Sequence, residues 1–197
     1  MKKLSTYLFI ILFSLQTSSW ADDIRDFQIE GMSVGDSLLD YFSKEEIENF
    51  LKDKYAVNYY PKSKKFFSLS TINVESIYNQ IFFGLKDSDD KYIIYSLVGF
   101  KEMTYQECVE ESKSIVSEIN QLFIKEKFST NSYEKEHEAD MSGKSRLYSY
   151  DFNFDDGNGI RINCTNWSEE KIAEGYRSSL AIRINSKEWR DWLWTAY

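Results

Sequence analysis

Thr104–Phe123, TYQECVEESKSIVSEINQLF, is the stretch that most restricts what this chain can fold into. Thr104 followed three residues later by Glu107 spells a capping box. The hydroxyl accepts from the Glu107 N–H, and the carboxylate reaches back to the Thr104 N–H. Cys108, Ser112, Ile115, Val116, Ile119, Leu122 and Phe123 then recur at the helical period, with Glu110, Lys113, Ser117, Asn120 and Gln121 on the other side. A helix with one apolar face must bury that face. The expectation is an α+β fold, with an antiparallel sheet or sheets packed against this one long amphipathic helix.

The remaining elements are read around it. Leu38, Leu39 and Phe42 at helical spacing, then the Ser43/Glu46 capping box before Ile47, Phe50 and Leu51, predict two short N-terminal helices. Tyr55–Tyr60, Phe66–Thr71, Ile77–Lys86 and Tyr92–Lys101 are rich in aromatic and β-branched residues and separated by turn chemistry, so they read as strands. Arg146–Asp155 turns through Asp156-Gly157-Asn158-Gly159 into Ile160–Thr165, with Phe152 and Phe154 inward, and Leu180–Ile184 is a further strand. Ser186 opens a C-terminal helix on which Trp189, Trp192, Leu193 and Ala196 share a face. Residues 127–144 are polar and without periodicity and are read as a loop. Strands joined by hairpins, and not alternating with helices, point to an antiparallel sheet.

Met1–Ala21 has the pattern of a signal peptide: Lys2 and Lys3, an apolar Tyr7–Leu15, then Ser19-Trp20-Ala21. The apolar run is far short of the roughly 20 residues that span a bilayer. Residues 22–197 then form a single α+β domain, periplasmic or secreted, with no stable membrane anchor expected. Without the two signal lysines, 22 basic residues stand against 32 acidic ones, a balance that excludes nucleic acid as a partner. The two cysteines, Cys108 and Cys164, are an even number in an oxidising compartment and predict a disulfide between helix and sheet.

No catalytic residue, metal ligand or cofactor is assigned. Gly35-Asp36-Ser37-Leu38 spells the nucleophile motif of the GDSL esterases, so a serine esterase using Ser37 is the competing class. Its base would have to be His137, the only histidine, preceded by Glu134. The bland reading makes Ser37 a helix cap. Glu134, Glu136, His137, Glu138 and Asp140 crowd one stretch, 134–140, but offer a metal a single imidazole. Asp151–Gly157 has calcium-loop residues in the wrong frame and reads better as a strand. Trp194 lies about 140° from Trp189 around the last helix, which makes it the candidate contact for a protein or small-molecule partner.

IEGMSVGDSLLDYFSKEEI (29–47), KYIIYSLVG (91–99), Glu107-Cys108 before the amphipathic helix, SGKS (142–145) and C-x-N-W-S-E (164–169) resemble a family of small exported proteins of marine alphaproteobacteria. That resemblance implies export and a disulfide and carries no active site with it. Gly31-Met32-Ser33 is also similar to the step into the first helix of BamE-like and β-lactamase-inhibitor-like domains, a likeness of fold alone. A lipobox cysteine is missing. The reading that results is an exported, non-catalytic binding or interaction module.

Overall fold

Eight strands form one sheet in the computed structural model of the chain, which describes residues 23–71 and 76–196. The signal-peptide assignment lies outside the described residues. The strands are β1 (Val57–Tyr59), β2 (Phe66–Thr71), β3 (Gln80–Lys86), β4 (Ile94–Glu102), β5 (Phe128–Glu136), β6 (Arg146–Phe154), β7 (Gly159–Asn166) and β8 (Ser179–Asn185). Their order is β1-β2-β3-β4-β8-β7-β6-β5, and each neighbouring pair is antiparallel. Two meanders, β1–β4 and β5–β7, are thus joined by the last strand.

This arrangement corrects the expected architecture. The fold is mostly a single continuous antiparallel sheet, with short to medium helices α1 (Lys44–Lys52), α2 (Tyr105–Leu122), α3 (Glu169–Ala173) and α4 (Lys187–Ala196). The Thr104–Phe123 stretch does not organise the fold: α2 meets the sheet over β7 and β8 and fully buries only Cys108, Ser112 and Ile119. A helix about 10 Å wide covers two strands of eight, so the sheet's own cross-strand packing supplies the frame. The first expected helix is one 3-10 turn, Leu38–Asp40, because Gly35 N–H and Leu38 N–H are already committed to the Ile94 and Tyr92 carbonyls. The expected loop over 127–144 begins as β5, a nine-residue strand.

Alternation assigns two faces. On one, Leu69, Phe83, Leu97, Ile182, Ile162 and Phe152 are buried in a continuous core under the N-terminal segment, α1 and α2. On the other, α4 seats Trp189 and Trp192 against Phe66, Tyr60 and Tyr95. Gly84 makes this seat: a Cβ there would lie 2.5 Å from the Trp189 ring. Toward β5–β8 that second face is left to polar side chains.

Candidate functional site

The polar half of the second face is built from odd-numbered residues of three strands. Asp151 and Asn153 of β6, Arg161 of β7, and Arg183 and Asn185 of β8 point the same way because side chains alternate across a strand. Arg161 stands directly opposite Arg183 in the ladder on one side and opposite Asp151 on the other. Its guanidinium grips Asp151 with both prongs, Nε to Oδ1 at 2.5 Å and Nη2 to Oδ2 at 3.0 Å. Asp151 is buried beneath it, and the hydrogen bonds it accepts push the Arg161 pKa upward.

Arg183 has no acidic partner among the described residues. With the Asn163 amide turned so that its oxygen faces β8, the orientation that satisfies both of its ends, Arg183 Nη1 donates to Oδ1 at 2.9 Å and the amide nitrogen donates to Ser149 Oγ. Burial, with the Arg161 charge opposite, brings Arg183 down to about 10. Two arginines therefore stand opposite each other in the ladder, one paired with a carboxylate and one with an amide, on a chain that is otherwise strongly acidic.

α4 closes this patch into a groove. Ser186 Oγ accepts from Trp189 N–H and caps the helix, while Ser186 N–H donates to the Tyr95 carbonyl. Arg190 then latches the helix to the β6–β7 turn: Nη1 donates to the carbonyls of Gly157 and Asn158 at 2.9 and 2.6 Å, and Nη2 to Asn153 Oδ1 at 2.6 Å. Gly157, at φ +91°, gives the turn the left-handed residue this approach needs. The resulting groove holds about 660 Å³ between the strand floor (Asp151, Asn153, Arg161, Asn185), the helix wall (Arg190, Leu193, Trp194) and Glu138. Trp194 stands at its rim, 90% exposed. A shallower hollow of about 500 Å³ under the C-terminal end of α2, between Asn120, Lys127 and Asp155, has no tryptophan beside it.

The other residues singled out by sequence fall elsewhere. Ser37 is a cap: its hydroxyl donates to the Lys91 carbonyl at 2.6 Å and accepts from Leu39 N–H, while Asp40 reaches back to the Ser37 N–H. His137 makes no hydrogen bond to Ser37 among the described residues; its ring stacks on Trp167 with centroids 4.1 Å apart, and Nδ1 accepts from Ala139 N–H. Glu134 and Glu136 end β5 near Tyr105 and Arg146, Glu138 pairs with Lys135 at 2.5 Å, and Asp140 accepts from Ser142 and Ser145. Those hydrogen bonds hold the Asp140 carboxyl far below the usual range. Among the described residues no three ligand-type side chains gather for a metal. Cys108 and Cys164 are bonded to each other, as expected, with both residues fully buried.

Sequence reasoning reached Trp194 through helical geometry but missed Arg161, Arg183 and Arg190. The signal available was the odd-numbered, polar set along 149–153, 161–165 and 183–185, which marks the face opposite the apolar one. No helix among the described residues is long and apolar enough to cross a membrane. Comparison with known protein families, with characterised proteins and with solved structures gives no match for this chain.

Proposed function

We propose that this protein is an exported, non-catalytic binding module that takes a small ligand into the groove between α4 and the β6–β8 floor. The observation that carries the reading is the groove itself: an exposed tryptophan ring at its rim and a floor that carries the Arg161–Asp151 ion pair between Asn153 and Asn185. An exposed indole held in place by a latched helix is a stacking surface that costs the fold nothing to leave open. An aromatic rim over a floor of one ion pair and two side-chain amides favours a flat-ringed ligand carrying polar hydrogen-bonding groups. The hydroxyl of Ser37 is already committed to a backbone carbonyl, which supports binding over acyl transfer.

Native mass spectrometry of the mature chain purified from an oxidising compartment, repeated after denaturation, tests this. The expected result is a mass excess that disappears on denaturation and is absent in Trp194→Ala, whose melting temperature is unchanged because the ring buries almost nothing. A chain that emerges bare from its native source, or an excess indifferent to Trp194→Ala, overturns the groove as the binding site.

A further inference from the structure

The two edges of the sheet are finished differently. β1 is three residues long and gives way to Tyr60-Pro61, which is how natural sheets blunt an edge. β5 runs nine residues, FSTNSYEKE, in unbroken register with β6 from Phe128↔Phe154 to Glu136↔Arg146. It contains no proline, no glycine and no bulge, and seven of its nine residues are exposed, with Phe128 and Tyr133 half-buried. No described strand pairs with its outer side. A long edge with no partner among the described strands is a template for another strand.

The direction of its unpaired backbone groups can be read from the two ends. Lys127 C=O accepts from Asp155 N–H, and His137 N–H donates to Ser145 C=O. Odd-numbered positions therefore turn their backbone groups toward β6. By alternation Phe128, Thr130, Ser132, Glu134 and Glu136 turn theirs outward.

We propose that β5 is where two copies of this chain pair, antiparallel, across a two-fold axis normal to the sheet at Ser132. The argument for a second copy as the occupant is self-complementarity. A two-fold axis through a residue pairs position i with its mirror about that residue, and centring on Ser132 is the one choice that uses all nine positions. In that register Ser132 meets Ser132, Thr130 meets Glu134, Phe128 meets Glu136, Asn131 meets Tyr133 and Ser129 meets Lys135. No like charges stand opposite each other, and Ser132 exchanges both of its outward hydrogen bonds with its twin. Centring on Glu134 would set that carboxylate against itself, and centring on Thr130 would set Glu134 against Glu126. The two-fold axis also keeps faces together, so the apolar-side and groove-side surfaces of the two copies continue into each other.

Sedimentation equilibrium or native mass spectrometry of the mature chain over a dilution series tests this, with Ser132→Lys as the variant. Ser132 is exposed in a single copy, so the variant folds with unchanged far-UV dichroism and melting temperature measured at the monomer limit. The expected result is a wild-type dimer that Ser132→Lys weakens by about fivefold or more, because two ammonium groups then meet across the axis. A second measurement reads the register directly: Ser132→Cys forms a covalent dimer on mild oxidation, whereas Ser129→Cys, whose two copies lie about 20 Å apart in this register, does not. A wild-type chain that stays monomeric throughout overturns the proposal. So does a dimer indifferent to Ser132→Lys, or one cross-linked equally through both cysteine variants.

Discussion

Cys108, in the first turns of α2, is bonded to Cys164 inside β7, so the helix is fixed covalently to the sheet near its N-terminal end and held elsewhere by packing of Ile119 and Phe123. The two residues are 56 apart in sequence. A crosslink of that span restricts the unfolded chain and contributes roughly 2–4 kcal/mol. The double substitution Cys108→Ala/Cys164→Ala should lower the urea midpoint accordingly. The folded wild type should also resist millimolar thiol, since both residues are fully buried. An unchanged midpoint, or rapid reduction in the folded state, contradicts this.

Gly84→Ala tests the seat of α4. The added carbon would lie 2.5 Å from Trp189 and 2.7 Å from the Ser96 Cβ, and Trp189 cannot retreat because Tyr60, Phe66 and Trp192 surround it. Overpacking of this kind costs about 1–3 kcal/mol. Equilibrium unfolding should show that loss, accompanied by a change in near-UV dichroism from the displaced indole. A variant as stable as wild type with the same near-UV spectrum contradicts the packing described.

Burial against Trp167 lowers the pKa of His137 below its ordinary 6.5, with the nearby Lys135 charge acting in the same direction. Because the folded value lies below the unfolded one, the folded chain gives up this proton more readily. Its contribution to stability is complete above the unfolded value and is lost as pH falls from there toward the folded value. As the only histidine, His137 gives a single imidazole C2–H resonance by NMR. That resonance should titrate below 6.5, and Trp167→Ala should move it back up. A titration at or above 6.5 in the wild type rules this out.

Removing one half of the Arg161–Asp151 pair should cost more than removing both. Arg161→Met leaves Asp151, which is buried, without its two charge-assisted hydrogen bonds, at a cost of about 1–3 kcal/mol. The double variant Arg161→Met/Asp151→Leu replaces the pair with apolar volume and should recover much of that loss. A double-mutant cycle on unfolding free energies checks it, and strictly additive losses contradict the coupling.

What could be read in advance was local. The capping boxes at Ser43 and Thr104 formed as spelled, because each needs only residues three apart. The β6–β7 hairpin followed from Asp156–Gly159, and Phe152 and Phe154 face the core as their alternation implied. β5 was illegible for the opposite reason: a strand exposed on both faces has no buried side to write an alternation, so Ser129–Ser132 look like loop. The primacy given to the Thr104–Phe123 helix failed because amphipathic strength reports that a face is buried, not how many strands it covers. The groove floor could not be seen at all as a unit. Asp151 and Arg161 are joined within the β6–β7 hairpin, but Asn185 and the α4 wall reach them only when β8 enters between β4 and β7.

That entry has a consequence for how the chain comes into being. Ser179–Asn185 comes after the other seven described strands in chain order, yet it occupies an interior lane, hydrogen-bonded to β4 on one side and β7 on the other. A chain emerging amino-end first would carry two half-sheets with raw inner borders until β8 is delivered. Completion of the sheet is therefore a zipping event that waits for β8. A product truncated before Ser179 keeps both borders open, and sticky half-sheets are what such a truncation should leave behind.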